Sequence, residues 1–257
     1  MSPKPHDTGV PIEGAVAVVT GANRGLGRAY VKALLERGAA RVYAGARHRE
    51  SVEIDDDRVT AVSLDITDAS AVSAAATLAA DATVLINNAG AMLQSAFLSA
   101  TDLEAARKEM DTNYFGTLAM ARAFAPVLAA NGGGALVNVL SVASFYSLPF
   151  NASYCASKAA EWSLTNALRL EMHAAGTLVV GVHPGFIDTD MTATVSEPKI
   201  DPAEVAAQTL DAVQAGQFEV LTDDHTRAVK RTIPTHLQTL YPELQSRWDA
   251  GDNPWGG

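Results

Sequence analysis

The feature that most constrains this fold is an apolar run, Ala15-Val16-Ala17-Val18-Val19, followed by Thr20-Gly21-Ala22-Asn23-Arg24-Gly25-Leu26-Gly27. An apolar run without polar alternation is what a parallel strand covered on both faces requires. The stretch Arg28 to Arg37 then reads as a helix that Gly38 ends. Strand, glycine turn and helix start is the context in which a glycine-rich segment binds phosphate. The glycines let the backbone approach a pyrophosphate, and the helix N-terminus presents free N–H groups and the positive end of its dipole. The glycines at 21, 25 and 27 give TGxxxGxG rather than the commoner GxGxxG spacing.

The rest of the chain repeats the alternation. Strands are expected at 41–45, 59–64, 82–87, 135–140, 178–182 and 218–221, with helices at 69–80, 102–130, 152–175 and 201–215. Such order implies right-handed crossovers and an α/β fold: a single-domain, Rossmann-like, doubly wound parallel sheet of about seven strands with helices on both faces. Residues 1–14 read as a loose tail, 15–251 as one domain and 252–257 as a C-terminal tail; no repeat or linker marks a second domain. Ligands of such sheets bind outside the carboxyl ends of the strands.

Composition narrows the function. A net charge of −10 opposes nucleic acid and anionic membrane surfaces, and no apolar run reaches the ~20 residues of a membrane span. One cysteine among 257 residues excludes an intramolecular disulfide and fits a reducing cytoplasm, and the six histidines have no metal-ligand spacing. The expectation is a cytoplasmic protein with no metal, no nucleic acid and no membrane partner.

Chemistry is carried by Tyr154 and Lys158, four residues apart and hence on one helix face. A cation beside a phenol favours the phenolate and lowers the tyrosine pKa from about 10, which makes an acid/base usable near neutrality. Ser141, Ser144 and Ser147 all lie upstream and could each donate to a carbonyl oxygen. Asn87-Asn88-Ala89-Gly90 closes a strand with residues small enough for close cofactor approach, and its asparagines can tie strand ends together. Asn113 is a poor helix former inside a long helix, which implies a local bend. Cys155 reads as packing, and His183 before Pro184 as no part of the acid/base chemistry.

Taken together, TGxxxGxG at 20–27, Asn87 to Gly90, Asn113, Ser141, Tyr154-x3-Lys158 and Pro184-Gly185 resemble the short-chain dehydrogenase/reductase family, in its classical branch, from about residue 15 to 221. The resemblance selects Ser141 by its thirteen-residue spacing to Tyr154 and implies a catalytic set of Asn113, Ser141, Tyr154 and Lys158. In the family the matching asparagine holds a water linking the lysine to solvent, and the lysine also binds ribose. The resemblance further implies cofactor contacts at Gly21, Asn23, Arg24, Gly25, Leu26, Gly27, Asp65, Ile66, Asn88, Ala89, Gly90, Tyr154, Lys158, Pro184, Gly185, Ile187 and Thr189.

Cofactor choice turns on the second strand. An acid at its end would hold a ribose 2′-OH, but Ala46 stands there with Arg47 after it, and Arg24 lies in the glycine loop. Two guanidiniums without a competing carboxylate suit a 2′-phosphate, hence NADP(H). The implied activity is an NADPH-dependent carbonyl reductase or alcohol dehydrogenase on a small-molecule ketone, aldehyde or alcohol, with a medium-sized apolar carbonyl compound as the expected substrate. Two alternatives share the fold: a halohydrin dehalogenase-like lyase, opposed by Lys158 and the intact loop, and a non-catalytic NADP(H)-binding regulatory protein, opposed by the complete catalytic set. Phe145, Tyr146, Phe150, Phe186 and Met191 are candidates for an apolar substrate pocket. The helices at 102–130 and 152–175 suit a homodimer, while the departure from the family after Leu221 argues against its tetramer.

Overall fold

The seven apolar runs align side by side. In the computed structural model, which describes residues 9–252, all strands are parallel: β1 (Val16–Thr20), β2 (Arg41–Ala46), β3 (Val59–Ser63), β4 (Val84–Asn87), β5 (Ala135–Val139), β6 (Leu178–His183) and β7 (Glu219–Leu221). Their order across the sheet is β3-β2-β1-β4-β5-β6-β7. The order reverses between β1 and β4, and the crevice at that switch point is where this class of sheet binds ligands.

Helices cover both faces because alternate strand residues point to opposite sides. Ala17 and Val19 of β1 join Val42, Val84, Val137 and Val180 under α1 (Gly25–Glu36) and α6 (Pro202–Gln214). Val18 joins Leu85, Leu136 and Val179 on the other face, under α2 (Ala69–Leu78), α4 (Thr117–Ala130) and α5 (Ala152–Glu171). Side-chain caps set several helix starts. Asp68 accepts from the amides of Ser70 and Ala71 at the start of α2, and Asp201 from that of Ala203 at the start of α6. Arg24 begins α1 without any side-chain cap, which leaves its first N–H groups turned to the crevice.

The expected 102–130 helix is interrupted. After α3 (Glu104–Glu109), a π-helical stretch, Met110–Gly116, carries Asn113 before α4 begins. An extra residue per turn is a recurrent device at functional sites. Beyond β7 the chain forms α7 (Asp224–Thr232) and α8 (His236–Asp249).

One boundary needs correction. Residues 9–14 are no loose tail: the Val10 amide donates to the Val213 carbonyl at 2.9 Å, and Ile12 is fully buried in the core beside α1 and α6. Apolar Val10 and Ile12 gain more from that burial than the segment loses in freedom. The remainder of the expected N-terminal tail, and residues 253–257, lie outside the described residues.

Candidate active site

The motifs converge on one cavity of about 920 Å³ at the carboxyl ends of the strands, a size that suits a cofactor together with a small ligand. Gly21, Asn23, Arg24, Gly25, Leu26, Gly27, Arg47, Asp65, Ile66, Asn88, Ala89, Gly90, Ser141, Tyr154, Lys158, Pro184, Gly185, Ile187 and Thr189 all line it. Asn113 stands behind Gly90, where a Cβ would lie 3.2 Å from the Asn113 Oδ1.

The glycine loop is shaped by close approach. Gly21 has φ +64°, a left-handed conformation that favours glycine. A Cβ on Gly27 would fall 2.0 Å from the Gly21 carbonyl oxygen, so only glycine lets the turn fold onto the first turn of α1. Asn88 pins the loop to β4: its Nδ2 donates to the Thr20 carbonyl at 2.9 Å, and the Thr20 hydroxyl accepts from the Asn88 and Ala89 amides at 2.9 Å. These residues fit a dinucleotide. The cradle is one that side chains would fill, and uncapped amides at the α1 N-terminus supply donors for a pyrophosphate.

At the adenosine end, Ala46 closes β2 and is buried, while Arg47 and His48 beyond it are exposed and line the cavity. Asp65 folds back, its Oδ1 accepting from the Thr67 amide at 2.9 Å and the Thr67 hydroxyl at 2.7 Å. Arg24 is engaged across the crevice mouth, its Nη1 3.1 Å from Asp190 Oδ2, with both side chains largely in solvent. Such an exposed pair is worth little and yields readily to a stronger anion.

At the other end, Ser141 follows β5 in extended conformation, and its Oγ accepts from the Ala143 amide at 3.1 Å. Its proton is therefore directed elsewhere, and the hydroxyl stands near enough to Tyr154 to draw the phenol pKa down. Ser144 is no rival for the chemistry: it is buried, donates to the Ser141 carbonyl at 2.6 Å, and lies 2.9 Å from His183 Nδ1. His183 is stacked on Phe145 and fully buried, which drives its pKa down to about 3 and keeps it neutral. Cys155 is also buried, with its thiol pushed up to about 11 by burial.

Tyr154 lies in the first turn of α5, with the Lys158 Nζ 5.9 Å from its ring centre. The expectation of a lowered tyrosine pKa is not met. Burial pushes the phenol above its ordinary value; Lys158 and Ser141 pull it down, and Glu161 adds to the rise. Lys158 is nearly enclosed. Its Nζ donates to the Val139 carbonyl at 2.9 Å and to Glu161 Oε2 at 2.6 Å, which leaves one of three N–H donors for the cavity. Burial lowers its pKa, but Glu161 and Tyr154 outweigh that and keep it raised as an ammonium.

Asn113 donates to the Ala91 carbonyl at 2.9 Å and to Ser157 Oγ at 2.8 Å, and its Oδ1 accepts from the Ala91 amide. Both amide protons are thus committed to protein, locking the segment after β4 against α5. The sequence reading missed Glu161, whose type and spacing were visible but whose burial was not. It also missed Asp223, whose carboxylate accepts from the Gly185 amide at 2.8 Å and caps α7.

The substrate side is only partly as expected. Tyr146, Phe186 and Met191 line the cavity, joined by Met92, Leu93, Leu148 and His225. Phe145 belongs instead to a small core with Val142, Val229 and Trp162, because the short helical turn at Val142–Ser144 points it inward. Phe150 is likewise absent from the cavity wall. Residues 188–199 form a short loop closed by the Asp188 amide donating to the Ile200 carbonyl and the Ile200 amide to the Phe186 carbonyl, each at 2.9 Å. The C-terminal helix α8 touches both flanks. The Tyr241 hydroxyl accepts from the Ser147 amide at 3.2 Å, and Arg247 pairs with Glu197 at 3.6 Å.

Among the described residues, no helix is long and apolar enough to cross a membrane and no cluster of metal-binding side chains occurs. Residues 15–200 match the family model of the short-chain dehydrogenases. A dehydrogenase/reductase SDR family member 7B of Xenopus laevis is 32% identical, over 92% of this chain and 81% of its own. The crystal structure of a short-chain dehydrogenase from Burkholderia cenocepacia in complex with NADP superposes with a TM-score of 0.87 at 45% identity, covering 91% of this chain and 98% of that one. A 3-ketoacyl-(acyl-carrier-protein) reductase from Brucella melitensis complexed with NADH gives 0.74 at 25% identity, over 81% and 96%. Motif geometry, sheet order and these likenesses agree: the chain belongs to the short-chain dehydrogenase/reductase family of oxidoreductases.

Proposed function

We propose that the protein is an NADPH-dependent carbonyl reductase, or in reverse an alcohol dehydrogenase, with Tyr154 as general acid/base. The observation that carries this reading is the cluster of Ser141, Tyr154 and Lys158 on one wall of the cavity whose other end is the glycine cradle. A nicotinamide dinucleotide held by the glycine cradle would supply the hydride that reduces the carbonyl carbon. Ser141 polarises the carbonyl oxygen through its hydroxyl, and Tyr154 donates the proton that completes the alcohol. Lys158 directs its remaining N–H into the cavity, placed to hold a ribose hydroxyl, while its charge stabilises the phenolate left behind.

NADP(H) rather than NAD(H) is supported by Ala46, which offers no carboxylate to a ribose 2′-OH, and by the exposed Arg47 beside it. The NADP carried by the Burkholderia relative supports the same choice. Tyr146, Phe186 and Met191 favour a medium-sized apolar ketone or aldehyde. The reading also takes a cytoplasmic setting and a homodimer packed through α4 and α5, checked by sedimentation equilibrium.

A panel of aldehydes and ketones assayed for NADPH oxidation tests the activity, with Tyr154→Phe as the diagnostic variant. Loss of the proton donor should lower kcat by about 10²–10⁴-fold while NADPH affinity stays within a few-fold. Turnover close to that of the parent would remove Tyr154 from the mechanism.

A further inference from the structure

One buried charge beside the catalytic set is not used by the mechanism above. Glu161 follows Lys158 by one helical turn and is 1% exposed, in a row of α5 residues otherwise apolar or small: Cys155, Ser157, Leu164, Thr165 and Leu168. A carboxylate costs several kcal/mol to bury unless it is paired and hydrogen-bonded. Here both conditions hold: burial raises the Glu161 pKa, and the Lys158 ammonium and the Thr117 hydroxyl pull against that rise. Oε2 takes the Lys158 ammonium at 2.6 Å, and Oε1 accepts from the Thr117 hydroxyl of α4 at 3.1 Å. The Glu161 carbonyl accepts from Thr165 Oγ1, which accepts from Asn138 Nδ2, whose Oδ1 accepts from Asn87 Nδ2. Glu161 is thus joined to the ends of β4 and β5 beneath the site.

We propose that Glu161 is a positioning residue of the Tyr154–Lys158 pair, whose buried carboxylate fixes the ammonium and keeps Tyr154 protonated to higher pH than the pair alone would. This rests on the reading of Tyr154 as the acid/base.

Net charge sets the direction of the effect. Phenol, ammonium and carboxylate together are neutral, so losing a proton creates a net negative charge in an enclosed place. Without the carboxylate, phenol and ammonium carry one positive charge, and losing a proton removes it. Burial opposes the first change and favours the second. The conclusion holds whichever group gives up the proton, because the coupled groups titrate together. A tyrosine held protonated is a donor, so Glu161 extends to higher pH the range over which the acid for reduction is in place.

The other groups around the pair do not supply this charge. From β6, His183 is neutral. From α3, Glu109 is bound by the Leu93 amide and the Ser153 hydroxyl and makes no ion pair with Lys158. On α5, Cys155 is a thiol. On the π-helical stretch, Asp111 is exposed and Tyr114 half-buried. Thr117 on α4 and Val139 on β5 contribute only neutral hydrogen-bonding atoms.

The test is a phenolate titration of the cofactor-free protein by ultraviolet absorbance between about pH 7 and 11, with the Tyr154→Phe trace subtracted on each background to isolate one tyrosine. In Glu161→Gln, which keeps the shape, the midpoint should fall by at least about one pH unit, a tenfold drop in proton affinity. The high-pH limb of the reductase profile should move the same way. Glu161→Asp withdraws the charge by one methylene, and should shift the midpoint in the same direction by a fraction of a unit. It also serves if the glutamine variant does not fold. A midpoint that is unchanged or higher in whichever variant folds overturns the proposal. Since the titration needs no turnover, that outcome is distinct from failure of the catalytic reading, which Tyr154→Phe kinetics decide.

Discussion

The two lips of the crevice are built on different principles. The lip formed by Thr20–Gly27 and Asn88–Gly90 is shaped by backbone: one glycine with no room for a Cβ, a second at positive φ, amides at a helix start and a threonine-asparagine tie. The lip formed by residues 184–192, with Ser147 and the C-terminal helices beyond it, is held by side chains from distant segments. Asp223 accepts from Gly185, Tyr241 from Ser147, and Arg247 pairs with Glu197. A backbone-defined lip suits an invariant ligand, since its geometry leaves little to adjust. A side-chain-defined lip can be altered one residue at a time, which suits a variable substrate.

The sharpest way to break this contrast is Gly27→Ala. Its methyl group must displace the Gly21 carbonyl, 2.0 Å away, so NADPH affinity measured by fluorescence should fall by about a hundredfold or more, equivalent to roughly 3 kcal/mol. Unchanged affinity would mean that the loop adapts and that backbone does not define this lip.

Asp223→Ala probes the other lip. The variant leaves the Gly185 amide without its acceptor and removes the α7 cap. Stability should drop by about 2–3 kcal/mol in urea denaturation, with a loss of NADPH affinity well below that of Gly27→Ala even though Gly185 itself borders the cavity. A large loss of cofactor affinity instead would show the two lips to be mechanically coupled.

Charge separates the cofactor options at the first lip. A guanidinium near a 2′-phosphate attracts each unit charge by ~4 kcal/mol at an effective dielectric of ~20, and desolvation and ordering leave about 1.5–3 kcal/mol. NADPH should therefore be preferred by roughly ten- to a few hundred-fold. Ala46→Asp with Arg47→Ser should reverse the preference, and salt should shrink it. Competing kcat/KM measurements decide the matter; equal use of NADH by the parent would reduce Arg24 and Arg47 to surface charges.

The smallest effect concerns pH, and it acts behind the second lip. His183 has a folded pKa of about 3 against 6.5 unfolded. Between those values the unfolded chain binds the extra proton, so stability rises with pH and falls on acidification below about 6.5. The slope from this residue approaches about 1.4 kcal/mol per pH unit. His183→Gln, followed by urea denaturation at pH 7 and pH 5, should flatten that dependence. An unaltered slope would place the acid sensitivity elsewhere.

Local chemistry fixed much of this protein in advance. Unbroken apolar runs and intervening helical periods were enough for the parallel sheet, and the type and spacing of glycine, serine, tyrosine and lysine placed one cavity at its carboxyl edge. The sheet's order puts those motifs together because each follows a strand. What depends on contacts between distant residues had no local signal. The packing of Val10 and Ile12, the inward turn of Phe145 and the reach of α8 to Ser147 and Glu197 each required a partner far along the chain. Protonation followed the same division. Tyr154 and Lys158 were legible as a pair, but the rise in the tyrosine pKa came from enclosure and from Glu161. Sequence spacing gives the neighbours of a charge, whereas the exclusion of water that sets its energy belongs to the tertiary structure.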